Sequence, residues 1–401
     1  MMLRPAINYK ETVYIGTVGE CHMDVLAAHD VPIADDIHFE AGFVTPEDQF
    51  LNRQESLLWL KDHAPAVYRN YKEAGRKVNP AHPSAKHYLN YELESLAYYD
   101  AAGIYQGVTG GGVMEDNYGY RSRMQGALIG FMAGDALGAT TEFMAPEQIK
   151  EEIGIHSEIT GGGWLDLEAG ETTDDTAMML CVAEELTENG LIDPVSLMRR
   201  FTAWYDTLPS DVGSTCRSGI LRFRHYGTVT AMPSDLAAGN GALMRALPVA
   251  LAFAGNAAVM AEQMKLQAHA THNNPRSDLA CACYGELIEN IIAGKDMQAL
   301  LDLVEAGYPE YRVATHDGNA GGYVVDSMNT VLHCFFTTDT FEEALIKCVN
   351  LGGDADTTGA ILGGVAGSYY GIAEVPSRWR EKLNPSAIEA AMRFIREVLM
   401  Q

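Results

Sequence analysis

The sequence predicts an all-α domain over residues 120–401, preceded by a smaller α+β domain over residues 1–105 and joined to it by a linker at 106–119. Three observations predict this. The stretch "YQGVTGGGVMEDNYG", residues 105–119, is glycine-rich and polar without helical period, which marks a boundary. Beyond it, apolar residues recur at helical spacing, with few alternating β-branched runs. Before it, strand-like and helix-like patterns are mixed.

In the first part, "ETVYIGTV" reads as a strand. "TPEDQFLNRQESLLWLKDHA" reads as a helix, with Thr45 as N-cap and Pro46 in the first position. "KHYLNYELESLAYYDAAG" reads as another, and its tyrosines suit a core face better than a binding face. In the second part, helices are predicted over "RSRMQGALIGFMAGDALG", "DTAMMLCVAEELTENG", "PVSLMRRFTAWYDTL", "NAAVMAEQMKLQAHATH", "SDLACACYGELIENIIAG" and "SAIEAAMRFIREVLMQ". Several end in Gly, as helix C-caps do. In "VNLGGDADTTGAILGGVAGSYYG" a helix is expected from Ala360. Its Gly359, Gly363 and Gly367 fall four apart on one face. Interior glycine costs a helix about 1 kcal/mol relative to Ala, so a glycine face points to close contact with another backbone.

The 401 residues are 47% hydrophobic, enough for one large core and a second, smaller one. A formal charge of −26 argues against general nucleic-acid or anionic-membrane binding, which needs clustered Lys and Arg. No apolar run reaches the ~18 residues of a membrane span, and "MMLRPAINYKETVYIG" lacks the apolar core of a signal peptide. Seven cysteines, an odd number without CxxC, read as reduced thiols. A cytoplasmic location is expected. "GECHMDVLAAHD" offers Cys21, His22, Asp24 and His29, but at no standard zinc spacing.

Two clusters carry chemistry. Asp354 and Asp356 precede Thr357 and Thr358 at the head of the glycine helix, and Thr173, Asp174 and Asp175 precede the apolar helix of "TTDDTAMML". Glu142 closes "GDALGATTEF". Capping is the simple reading, since Asp and Thr accept hydrogen bonds from free helix amides, but it explains one residue per cluster. The functional reading is that the acids meet. They would repel unless a cation joined them, and oxygen-only ligands suit Mg²⁺ or Mn²⁺ rather than zinc. Two such clusters suit two cations. Both readings stand on these residues alone.

The phrases "GDALGATTEFM", "TGGGW", "TTDDTAMML", "DVGSTCRSGI", "GNGALMRALP", "THNNPRSDLAC", "YVVDSMNTVLHCFFTTDTFEEAL" and "NLGGDADTTGAILGG" occur in one order. Together they resemble the ADP-ribosylglycohydrolase family, most closely its dinitrogenase reductase-activating branch. The resemblance runs from about Arg121 to about Val398.

It implies an all-α ADP-ribosylglycohydrolase domain with two divalent cations, Mg²⁺ or Mn²⁺, at the bottom of a cleft. Thr173, Asp174 and Asp175 match one ligand set; Asp354, Asp356 and Thr357 match the other. Glu142 matches an acid near the metals, and Asp211 one beside the reacting ribose. Gly239, Asn240 and Gly241 match a loop lining ADP-ribose, and His272 with Asn273 another wall. Gly322, Tyr323 and Val324 match the adenine end. Ser214 stands where that branch usually has Asn. The implied reaction is hydrolysis of the glycosidic bond between ADP-ribose and a modified protein side chain, arginine first, with ADP-ribose as product and Asp211 and Glu142 as candidates for proton transfer. The alternatives are an ADP-ribose-binding or immunity protein, or a hydrolase of O-linked or nucleic-acid-linked ADP-ribose. Arg245 suits a diphosphate clamp or a buried pairing role, and "TGGGW" a phosphate cradle or a plain turn. No function follows for residues 1–105.

Overall fold

A computed structural model describes residues 117–400 and four strands of the preceding part. The chain divides into two compact units, Met1–Met114 and Glu115–Gln401. In the first, β1 (Arg4–Tyr9), β2 (Thr12–Ile15), β3 (Glu40–Val44) and β4 (Phe50–Asn52) form an antiparallel sheet in the order β2-β1-β3-β4. Ile7 lies opposite Tyr14 on one side and Ala41 on the other, and Phe43 lies opposite Leu51. The strand expected in "ETVYIGTV" is β2.

The helix expected after Thr45 is corrected at Phe50–Asn52, which pairs with β3 instead. Sheet pairing outweighs weak helical propensity there. The rest of that segment, the tyrosine-rich segment and the Cys21–His29 cluster lie outside the described residues.

The second unit is helical. In order come α1 (Asn117–Gly138), α2 (Pro146–Glu152), α3 (Asp174–Asn189), α4 (Pro194–Tyr205) and α5 (Ser214–Tyr226). Then follow α6 (Leu247–Ala252), α7 (Ala257–His269), α8 (Pro275–Ile292), α9 (Met297–Gly307) and α10 (Val324–Phe336). The last are α11 (Phe341–Val349), α12 (Ala355–Tyr370), α13 (Ser377–Arg380) and α14 (Pro385–Phe394). Polar side chains cap many starts: Asp193 accepts from Val195 and Ser196 amides, Asn274 from Arg276, and Thr340 from Glu343. Gly190 ends α3 in the left-handed conformation. The six cysteines among the described residues are free and buried. No helix there is long and apolar enough to cross a membrane.

α12 is buried from Ala355 to Ser368, all round, as a central helix must be. It lies against α1 in antiparallel sense, and the contact is backbone to backbone. A Cβ at Gly359, Gly363 or Gly367 would run into the carbonyl oxygen of Gly134, Gly130 or Gly126. The opposing Gly138 meets Ala355 in the same way. The glycine face predicted in α12 therefore has a matching glycine face in α1. α10, α11 and α8 pack around this pair, and α3, α4 and α14 extend the core.

The helix starts five residues earlier than Ala360, because Gly352 and Gly353 make the turn at positive φ and Asp354 opens the helix. Gly363→Ala should destabilise by about 2 kcal/mol or more, since overpacking a closed contact outweighs the roughly 1 kcal/mol of helix propensity gained. Gly307→Ala, with open space around it, is the control and should be neutral or slightly stabilising. Denaturant unfolding checks both; a Gly363→Ala protein as stable as the parent would rule out rigid backbone contact.

Candidate active site

The antiparallel helix pair brings the end of α1 to the start of α12. Two backbone bonds stitch the connecting loops: Phe143 N–H donates to Gly353 O at 2.6 Å, and Gly353 N–H to Met144 O at 3.0 Å. A Cβ at Gly352 would strike the Met144 carbonyl, so glycine is required for this approach as well as for its φ of 66°. Glu142 is thereby held beside Asp354–Thr357.

α3 is brought in by a residue that the sequence reading missed. Asp135, wholly buried in α1, accepts from Thr173 N at 3.0 Å, Thr176 N at 3.0 Å and Thr176 Oγ1 at 2.6 Å. It anchors the start of α3 from outside that helix. The available signal was a lone acid in an otherwise apolar, glycine-flanked segment, "GFMAGDALG".

Asp175 then joins the two clusters. Its Oδ2 accepts from Thr173 Oγ1 at 2.9 Å and from Thr357 Oγ1 at 3.1 Å. Asp174 Oδ2 accepts from the Gly213 amide at 3.1 Å, which draws in the Asp211–Gly213 loop ahead of α5. Oxygens of Glu142, Asp211 and Asp356 all fall within 4.8 Å of one another. Among the described residues, Asp175 Oδ1 and Asp356 Oδ1 are buried with no hydrogen-bond partner. Neither Asp356 nor Thr357 is the N-cap of α12, and Asp354, which is, makes no side-chain cap bond. Capping does not explain these acids.

One wall is built on Asn240. Its amide donates to Asp354 Oδ2 at 2.5 Å and to Ser327 Oγ at 3.0 Å. Its backbone N–H donates to Gly322 O, and Gly239 pairs with Tyr323. His272 packs against Gly239 and Gly241, where added Cβ atoms would press on its ring. Burial and Arg245 push its pKa down to about 3, so it is neutral.

Other predicted residues are placed differently. Asn273 spends its amide on Ala231 O at 2.7 Å, and the side chain of Val324 is in the core. Tyr323 lies under Arg276, and Ser214 is exposed on the first turn of α5. Arg245 is no diphosphate clamp. It is wholly buried, bonded to Gln267 Oε1, Gln267 O, Gly241 O and Thr271 Oγ1 at 2.8–2.9 Å, with its guanidinium over the Phe201 ring. The "TGGGW" segment is a tight turn, closed by paired bonds between Gly162 and Leu167. It places Trp164, also missed from the sequence, whose indole N–H donates to Glu142 Oε2 at 2.5 Å.

The sequence model of the ADP-ribosylglycohydrolase family matches residues 116–401. The chain belongs to the ADP-ribosylglycohydrolase family. The ADP-ribosyl-dinitrogen reductase glycohydrolase of Rhodospirillum rubrum is 46% identical over 266 residues, covering 65% of this chain and 90% of that protein. The ADP-ribosylarginine hydrolase Tri1 of Serratia proteamaculans is 29% identical over 281 residues, covering 65% and 75%. A solved structure described as an ADP-ribosylglycohydrolase-related protein complex superposes with a TM-score of 0.63 at 32% identity, covering 70% of this chain and 99% of that one. The expected family and helical fold are thus both found.

In this ADP-ribosylglycohydrolase site the acids press on one another. Burial, together with Asp354, Asp211 and Asp174 and against the Trp164 bond, raises Glu142 to about 8. Burial and Asp211 raise Asp174 to about 7. Burial lifts Asp175 and Asp356 well above the ordinary range, with help from neighbouring aspartates. Burial raises Asp211 and Asp354 too.

The donors fit a hard divalent cation. They are all oxygens, two carboxylate oxygens lack partners, and Glu142, Asp211 and Asp356 have oxygens within 4.8 Å of one another, close enough to share one such ion. Groups that titrate near 4 when unfolded but at about 6–8 when folded bind more protons in the native state. Stability of chelator-treated protein should therefore fall as pH rises from 5.5 to 8. Mn²⁺ or Mg²⁺ should restore it most at the upper end, and Asp356→Asn should flatten the slope. Thermal melts across pH, with and without cation, check this; a slope indifferent to cation would count against the site.

Proposed function

We propose that the protein is a cation-dependent hydrolase that splits ADP-ribose from a modified protein side chain, arginine in the first place, in the cytoplasm. The observation that carries this reading is the meeting of the Thr173–Asp175 and Asp354–Thr357 clusters through Asp175, beside Glu142 and Asp211. The names of the R. rubrum and S. proteamaculans relatives support the ADP-ribosyl-protein and arginine parts of it. A binding or immunity protein could lose the ligands without loss of role; this chain keeps all six. A net charge of −26 leaves nucleic-acid-linked ADP-ribose the weaker alternative.

Thr173, Asp174 and Asp175 would hold one cation, Mg²⁺ or Mn²⁺, and Asp354, Asp356 and Thr357 a second. When bound, such cations supply Lewis acidity at the ribose oxygens and a more acidic water. The protein's own groups do the rest. Asn240 and the Gly239–Gly241 loop line the ribose, with His272 packed behind as a neutral wall. Glu142 takes the proton of the attacking water. Asp211, on a loop outside both ligand clusters and with a raised pKa, gives a proton to the guanidine nitrogen as the C–N bond breaks and its electron pair passes to that nitrogen, so that the side chain leaves as a guanidinium.

Release assays on ADP-ribosyl-arginine, -serine and -nucleic acid, each with and without Mg²⁺ or Mn²⁺, test the reading. Asp174→Ala and Asp354→Ala should each abolish turnover while the fold persists. Near-normal rates at saturating cation in either variant would sink the two-cation assignment.

Asp211→Asn keeps size and hydrogen bonding but removes the titratable oxygen. Turnover should drop by roughly 10²–10⁴-fold, the usual range for acid–base assistance, while ADP-ribose affinity changes far less. Calorimetry beside single-turnover kinetics decides it. Affinity lost in step with rate would make Asp211 a cation or substrate anchor, as its place in the three-carboxylate group also permits.

A further inference from the structure

Two large aromatic rings stand exposed at the rim of the acid site. Phe143 is 65% exposed and Trp164 52%. Their centroids are 5.3 Å apart, with planes tilted by 48°. Neither is loosely placed. Phe143 sits at a φ of 61°, a conformation that bulky residues rarely adopt. Its amide bond to Gly353 O holds it there. Trp164 follows Gly161, Gly162 and Gly163, all at positive φ, with Thr140 Oγ1 tied to Gly161 O at 3.0 Å. Its indole N–H is fixed on Glu142 Oε2 at 2.5 Å. A strained residue and a three-glycine turn thus hold two apolar faces open to solvent, one ring away from the acids.

We propose that Phe143 and Trp164 form the subsite for the departing side chain, a planar guanidinium cation. This rests on the reading of the reaction as hydrolysis at an arginine. Charge selects the occupant. Asp354 and Asp356 are offset by the cation they would hold, which leaves Glu142 and Asp211, outside both ligand sets, to draw a cation rather than a diphosphate towards the rings. A guanidinium stacks on aromatic faces, and its flat, weakly hydrated form suits an open two-ring platform better than a lysine ammonium does. The Trp164–Glu142 bond fixes the platform beside Glu142, which has a carboxylate oxygen within 4.8 Å of one on Asp211, so a side chain on the rings would reach the acids with its terminal nitrogen.

The test compares KM and kcat for ADP-ribosyl-arginine with the Kd of ADP-ribose, which shares everything except the side chain. Trp164→Leu and Phe143→Leu should raise KM by roughly 2- to 30-fold, the range of a cation–π contact, with the Kd of ADP-ribose unchanged. Trp164→Phe keeps a ring but loses the N–H, so it should hold KM near the parent value and lower kcat through Glu142. An unchanged KM in both Leu variants would overturn the subsite. So would a parallel rise in the Kd of ADP-ribose, which would assign the rings to the nucleotide. Wild-type protein inert on arginine linkages but active on another would sink the underlying reading, and the subsite with it, before any variant is made.

Discussion

Helices α1 and α12 touch backbone to backbone from Gly126 to Gly138 on one and from Ala355 to Gly367 on the other, and the site is built outward from that contact. Each interior glycine gives up about 1 kcal/mol of helix propensity. The return is an approach that no side chain permits. Because the pair is antiparallel, the acid loop after α1 and the acid turn before α12 emerge at the same end. A looser pairing, with side chains between the helices, would move the two loops apart and break the Phe143–Gly353 and Gly353–Met144 bonds.

What gathers at that end is costly. Five carboxylates in or beside the core must be kept together although burial and mutual repulsion oppose their charge. Two structural features hold them. Asp135 spends its carboxylate on the Thr173 and Thr176 donors, which locks α3 to α1, and Asp175 spends one oxygen on two threonine hydroxyls. The starts of α3 and α12 also place helix N-termini, with their partial positive charge, behind the acids. The partnerless oxygens of Asp175 and Asp356 remain, and the proposed cations would satisfy them.

The opposite wall is rigid for a different reason. Arg245 is a fully buried cation whose donors all find acceptors or the Phe201 face, so it braces the Gly239–Gly241 loop against the Gln267–His272 segment. A buried charge is tolerated when every donor is used. Burial, helped by the same positive charge, keeps His272 neutral, which suits a ring packed behind the Gly239–Gly241 loop.

The sequence by itself determined most of the helices and both acid clusters, because helical period and the clustering of Asp and Thr at helix starts are local features. The glycine face of α12 was legible for the same reason, whereas its partner in α1 was not. Nothing local says which two helices meet. Asp135 escaped notice because its role is to cap a helix 38 residues away, and Trp164 because its indole reaches Glu142 only across the folded turn. The roles of Asn273, Val324 and Arg245 were decided by burial: a side chain near a cleft in sequence can still turn into the core or spend its donors on backbone. Phe50–Asn52 shows the same limit in the first unit, where a pairing partner, absent from any sequence window, made a strand of a segment with helical pattern. Periodicity fixes local form, but which groups are desolvated together is a property of the closed core, and the chemistry of this site depends on that.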